Sequence, residues 1–459
     1  MAKLPKFLEI KEDDTEKEKK KKKFLLVLFV VLLVLVVAGG VVGIIFGVKS
    51  CNGSKGGSTS NNTSDTSSNS DVTSESEPSE DGFIIYALNG DGNSYKVTGL
   101  KDTHPTEIVI PNTYKGKSVT KIGEYAFRDT TDVTSFVLPG TITDIEESAF
   151  FNCTSLTSIN LPEGITSINN STFLFCYSLT EINIPSSVSI IKDSAFYECK
   201  SLETVTFAPE SNLETIEVCA FYLCESLKNV QLPETVKNIE MSAFLECHSS
   251  LYTEYKNAYY FGTPSKPYWL LEKVLDDSVT TFEIHEDCKA IDYEVFSGCD
   301  SLISINIPSH VECIYSQAFS GCDSLSSVSF ELPTSLTQLD SGVFHNCSSL
   351  TEFTVPSTVT TMGERLFAYT GLTNLVFENE FTELPEDIIG ACWDLESITL
   401  PASLSVIHAS DFENSESLQT INFGGTIAEW NSIDKEPEWD KKTIHPLTVH
   451  CKDGDVVIA

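Results

Sequence analysis

Positive charge is what this sequence has least of for its size. Thirty Lys and Arg stand against 66 Asp and Glu, a formal net charge of −36. Phosphate would be repelled, which excludes nucleic acid as a partner. The chain has no His-Glu-x-x-His, and its eight His share no common position, which removes a metalloprotease signature. It also lacks a Gly-x-Ser-x-Gly elbow, a phosphate loop and a dinucleotide fingerprint. No Cys-x-x-Cys pair occurs, and neither His nor carboxylate joins the Cys at ligand spacing, so zinc is excluded as well. No catalytic residue, cofactor or metal follows from the sequence, and an enzyme is the least supported reading.

Long apolar runs are equally rare, with one exception. Residues 1–23 are rich in Lys and end in the run Lys19 to Lys23; the stretch 24–48, from Phe24 to Val48, is apolar throughout. Its length suits a transmembrane helix, and the charged head before it is too long for a secretory signal. The positive-inside rule puts 1–23 in the cytoplasm and everything after residue 48 outside the cell. The expectation is a single-pass protein of the cell membrane. Gly39, Gly43 and Gly47 recur every fourth residue, a spacing that would let two anchors pack as a dimer. Residues 49–82 are Ser, Thr, Asn, Gly and acid with almost nothing apolar, which predicts a disordered stalk.

Beyond the stalk the chain repeats. Phe127, Phe150, Phe173 and Phe196 are spaced by 23 residues, and Phe221, Phe244, Phe296, Phe319, Phe344, Phe367 and Phe412 continue the series, with Ile389 in the same slot. A period of that length means a solenoid, whose units bury their apolar sides only by stacking. Within a unit, Leu179 to Pro185 alternates like a short strand that Pro ends. Val188 to Ile191 begins the return, and Ser194-Ala195-Phe196 reads as a short helical turn. The predicted fold class is therefore an α/β repeat solenoid: one parallel β-sheet, with short helices or turns opposite. Residues 83–119 read as an N-terminal cap hairpin and first rung, 120–424 as the repeats and 425–459 as a C-terminal cap. In the first cap Asn89, Asp91 and Asn93 have the look of a calcium loop, but its twelfth position is Leu100, so a Gly-rich turn is the better reading.

The pattern Ala-Phe-x-x-Cys-x-Ser-Leu-x-x-Ile-x-Leu-Pro-x-x-Val-x-x-Ile resembles the BspA-like leucine-rich repeat family of bacterial and protist surfaces, over about residues 83–459. The resemblance implies adhesion or protein–protein interaction outside the cell, without catalysis.

Cys153, Cys176, Cys199, Cys224, Cys247, Cys299, Cys322, Cys347 and Cys392 all lie three residues after the anchor Phe or Ile. Adjacent rungs place them about 4.8 Å apart, within disulfide range by backbone distance. Side chains in register point the same way, however, and Thr130, Thr370 and Ser415 fill the same slot. A structural column of small buried thiols is the reading adopted. The rhythm fails between Phe244 and Phe296, where an aromatic insertion at 250–282 carries Tyr252, Tyr255, Tyr259, Tyr260, Phe261, Tyr268 and Trp269. Tyr and Trp concentrate at binding hot spots, so these seven are the candidate partner-binding residues; packing of a hairpin onto the solenoid is the alternative. The outward strand positions, such as Asn183, Thr206, Asn306 and Ser329, are small and polar, predicting a flat, hydrogen-bonding face. Two readings of function remain: a membrane-anchored protein that binds a protein, cell-surface or matrix ligand, and a structural spacing component of the envelope with no specific ligand.

Overall fold

Leu179 to Phe207 shows how one repeat closes on itself. Glu181–Ile184 is a strand with Ile182 and Ile184 buried and Glu181 and Asn183 exposed. Pro185 ends it, Val188 turns the chain into the core, and Ile190–Ile191 forms a second short strand. The next strand, Thr204–Phe207, lies parallel to Glu181–Ile184 in register 181 to 204, and Thr215–Ile216 stacks likewise on Ile190–Ile191. Each rung thus adds a rod to two parallel columns, giving a β-solenoid of about 14 turns. These observations come from a computed structural model that describes residues 82–459 apart from Glu413 and His445. The expected cytoplasmic tail, membrane span and nearly all of the stalk lie outside the described residues; within them no helix is long and apolar enough to cross a membrane.

The helical half of the α/β expectation is corrected. Among the described residues the sole α-helix is Ile427–Ser432, in the last cap. The arcs between strands cannot be helical because two residues in each adopt positive φ, one two places before the anchor Phe and one two places after. They are Ser148 and Asn152, Ser171 and Phe175, Ser194 and Glu198, Cys219 and Leu223, and Ser242 and Glu246. A helix needs φ near −63° throughout. The alternation turns every second N–H toward the following rung: Ser194 N donates to Val218 O, Phe196 N to Ala220 O and Glu198 N to Tyr222 O. Three such bonds per arc offset the roughly 1–2 kcal/mol that each left-handed non-Gly residue costs.

Inside the arcs the anchor rings stack. Centroids of Phe150, Phe173, Phe196, Phe221 and Phe244 follow at 5.3, 5.2, 5.0 and 5.0 Å, with planes within 14° of parallel. Phe296, Phe319, Phe344 and Phe367 form a second stack at 4.8, 5.6 and 5.8 Å. All are fully buried, each contributing about 1.5–3 kcal/mol of apolar burial.

The two stacks belong to two separate cores, and the insertion lies between them. Strands Thr253–Tyr255, Ala258–Thr263 and Lys266–Val274 form an antiparallel meander, whose last strand pairs parallel with Ala290–Ile291. Strand side chains alternate between faces. Phe261 and Leu270 accordingly enter the N-terminal core, while Ala258, Tyr260 and Leu271 enter the C-terminal one; Trp269, next to Leu270, departs from the alternation and also packs in the N-terminal core. The ends are closed by hairpins: Ile84–Leu88 with Tyr95–Leu100 at one, Leu447–Cys451 with Gly454–Ile458 at the other. In the first hairpin the Asp91 carboxylate accepts from Asn93 N, Ser94 N and Ser94 Oγ, which makes this loop a turn.

Candidate interaction surface

Three features could meet a partner: the insertion, the outer sheet face and the arcs. In the insertion the seven aromatic residues do not form one exposed patch. Tyr260, Phe261 and Trp269 are buried (0, 4 and 4% exposed), which corrects the partner reading for those three. The Tyr260 hydroxyl accepts from His285 N at 3.1 Å, and Phe261 meets Phe244 at 4.2 Å. Tyr252, Tyr255, Tyr259 and Tyr268 are half-buried. Tyr252 Oη donates to Phe244 O at 2.6 Å and accepts from Cys247 N, Tyr259 stacks on Tyr252, and Tyr268 stacks on His285 at 3.8 Å. These four are fixed by their neighbours.

The thiol column is built into the ladder. Cys153 Sγ donates to Phe127 O at 3.1 Å, Cys176 Sγ to Phe150 O at 3.3 Å, Cys199 Sγ to Phe173 O at 3.2 Å and Cys224 Sγ to Phe196 O at 3.2 Å. Cys247, Cys322, Cys347 and Cys392 do the same for Phe221, Phe296, Phe319 and Phe367. Each of these carbonyls lies on an arc, and those of Phe150, Phe173, Phe196, Phe296 and Phe319 also accept the N–H of their own rung's Cys, so a small donor one rung on completes a buried acceptor. Cys299 is buried in the same slot. All thirteen described Cys are free thiols. Burial pushes Cys347 up to about 12 and Cys299 up to about 11, and raises Cys199 further, so these three thiols stay protonated and unreactive.

The outer face satisfies part of its own hydrogen bonding. Thr206 Oγ1 donates to Asn183 Oδ1 at 3.0 Å, Ser329 Oγ to Asn306 Oδ1 at 2.9 Å and Asn229 Nδ2 to Thr204 Oγ1 at 3.3 Å. This sheet is interrupted at the insertion: Asn229–Val230 ends one sheet and Thr281–Glu283 begins another. The inward residues at the break, Val230 and Phe282, are only half-buried, and a cleft of about 440 Å³ opens over Thr204–Phe207 and Lys228–Gln231.

On the arcs, Tyr369 and Trp393 are 50 and 51% exposed and meet edge to face at 5.9 Å, with His345 at 5.3 Å from Tyr369. The sequence reading missed them because they stand singly in successive rungs. Numbering each rung from its anchor was the available signal, since Tyr369 follows Phe367 by two and Trp393 follows Ile389 by four. It also missed Glu272 and Asp292, two buried carboxyls side by side in the joint, which nothing in their sequence surroundings distinguishes from solvated charges.

Comparison with known proteins agrees with this architecture. The model of the BspA type leucine rich repeat region matches residues 120–251, 275–393 and 390–433 in six copies, leaving the meander unmatched. Among solved structures, the chain is similar to a leucine rich cell surface protein of Faecalibacterium prausnitzii (26% identity, 79% of this chain and 99% of that one, TM-score 0.38). It is also similar to the pneumococcal vaccine antigen PcpA (20% identity, 81% and 97%, TM-score 0.44) and to a leucine-rich repeat protein of Bacteroides ovatus (22% identity, 74% and 98%, TM-score 0.30). No curated protein is similar enough to count as a relative. With the matched repeats covering more than half of its length, the chain belongs to the BspA type leucine-rich repeat family.

Proposed function

We propose that this chain is a membrane-anchored cell-surface protein whose solenoid binds a protein, cell-surface or matrix ligand without catalysing a reaction. Family membership supports the surface role. Support for a contact role comes from the exposed pair Tyr369 and Trp393, since exposed aromatics held rigidly on adjacent rungs present large contact area at little entropic cost. Tyr252 with Tyr259, and Tyr255 with Tyr268, make two smaller half-buried aromatic pairs on the meander. The apolar stretch 24–48 after the Lys run supports the anchor and the orientation with the amino terminus inside.

The test is binding of the full-length chain to extracellular matrix proteins and to whole cells, beside a Tyr369→Ala/Trp393→Ala variant and a Tyr255→Ala/Tyr259→Ala variant. Saturable binding weakened at least tenfold by one of the pairs is expected; absence of binding to every surface would end the adhesion reading. One observation favours the alternative of a spacing protein: the outer face bonds to itself, as a surface that avoids sticking would. For the anchor, resistance to alkaline extraction from membranes is expected, and release into the soluble fraction would overturn it.

A further inference from the structure

Glu272 and Asp292 stand side by side across the parallel ladder that joins Lys266–Val274 to the rung of Ala290–Ile291, since Leu270 pairs with Ala290, Leu271 with Ile291, and Asp292 N donates to Leu271 O. They are 2% and 0% exposed. Asp292 Oδ1 accepts from Ser242 N and from Tyr293 N, both at 2.7 Å. The first of these bonds ends a series: Ser148, Ser171, Ser194 and Cys219 each donate N–H to a carbonyl of the following rung, and at the joint a carboxylate takes the place of that carbonyl. Asp292 Oδ2 and both Glu272 oxygens have no donor among the described residues.

The groups that face the pair do not supply one. Glu246 and Lys273 are exposed and directed at each other, at 3.8 Å. The hydroxyl of Tyr252 is directed at Phe244 O, that of Tyr315 at Ile239 O, and the Cys247 thiol at Phe221 O. Cys219 on the neighbouring arc is a neutral thiol pushed up to about 12 by burial and by Asp193 and Asp292. Among the described residues no cation neutralises the pair, and two ionised carboxylates cannot share a buried site.

We propose that a proton closes the joint: Glu272 keeps its carboxyl hydrogen through neutral pH and donates it to the Asp292 carboxylate, clipping the meander to the C-terminal rungs, and alkaline solution opens the clip. Burial and the Asp292 charge raise Glu272 well above the carboxylate range, and burial lifts Asp292 to about 7 against the opposing pull of its two N–H donors. The folded joint therefore binds protons that the unfolded chain releases. Its stabilisation is complete in acid and declines as pH rises from the ordinary carboxylate range through 7 and beyond.

The test is amide exchange of the full-length chain at about pH 6 and about pH 9, corrected for the intrinsic rate and read as protection of the Lys289 and Asp292 amides relative to the Ser189 and Lys192 amides of a regular rung. The expected result is a loss of relative protection on the order of tenfold per pH unit for each proton that the closed joint holds and the open joint releases, levelling off once the closed joint has lost it too. Glu272→Gln, whose amide can donate to Asp292 at any pH, should lose clearly less relative protection than the unmodified chain, as should Asp292→Asn, which preserves the acceptor for Ser242 N. A constant ratio in the unmodified chain, or a Glu272→Gln variant that loses protection just as the unmodified chain does, would overturn the proposal. So would protection restored at high pH by calcium or magnesium but not by tetramethylammonium at equal ionic strength, since the closing ligand would then be a metal ion.

Discussion

Set beside each other, the rung from Leu179 to Leu202 and the joint from Tyr252 to Tyr293 solve one problem in opposite ways. The rung repeats its neighbours, so its inter-rung N–H groups, its ring and its thiol each find in an adjacent turn the same kind of partner as in every other rung. At the joint no identical neighbour follows, and each partner is supplied singly: Phe261 for the Phe stack, Asp292 for the N–H series, the Tyr260 hydroxyl for His285 N. Redundancy makes the rung tolerant of side-chain exchange away from its anchors; specificity makes the joint the place where one change is felt on both sides.

The largest effects should come from the rings. Phe196→Ala opens a cavity between two stacked neighbours and should cost about 3–5 kcal/mol in urea unfolding. Tyr260→Ala should cost at least as much, because it also leaves His285 N without its acceptor, and amide exchange should rise on both sides of the joint. A Tyr260 variant that perturbs only the C-terminal rungs would break the comparison.

Next is Gly363→Ala. A Cβ there would lie 2.2 Å from Ser341 N, and the overpacking should cost about 1–3 kcal/mol; Gly321→Ala makes only an ordinary contact with Gly298 at 3.8 Å and is penalised through its φ of 72°, about 1 kcal/mol. Smaller again is the thiol column. Cys199→Ala should cost about 1 kcal/mol, while Cys199→Ser, which still donates, should lose less; equal losses would show that the slot needs volume and not a donor. The raised thiols give the last expectation. At about pH 8 the buried column should resist alkylation until the chain is unfolded, while among the described thiols the half-buried Cys451 reacts first. Rapid native labelling of Cys199 would show that the rungs open locally.

The rungs were legible because their signal is periodic. Phe at one slot, Leu-x-x-Ile-x-Leu-Pro and a Cys three residues after the anchor can each be checked many times along the chain, and burial follows them closely, from Phe150 to Leu418. The arcs were misjudged because left-handed residues usually betray themselves as Gly or Asn, and here Ser194, Glu198, Cys219 and Leu223 adopt the conformation. Hydrogen bonds between rungs impose it, and those are invisible within one repeat. For the insertion, composition showed many aromatics but not the alternation that sends Tyr260 to one core and Phe261 to the other. Asp292 occupies the slot of Lys192 and Glu217, where charge is ordinary; only the meander beside it makes it a buried carboxyl.

The arcs also carry a hydrogen-bond ladder of fixed direction. Tyr125 N donates to Glu147 O, Ser148 N to Asn170 O, Ser171 N to Asp193 O, Ser194 N to Val218 O and Cys219 N to Met241 O, always from the earlier rung to the later. Each peptide unit carries a dipole of about 3.5 D, and these units add head to tail across the turns as they do along a helix. Along the arcs the N–H ends therefore face the later rungs, while other backbone bonds, such as Ser189 N to Thr166 O and Glu203 N to Thr180 O, run the opposite way. The N–H end of the arc ladder falls at the joint, where Ser242 N meets the Asp292 carboxylate.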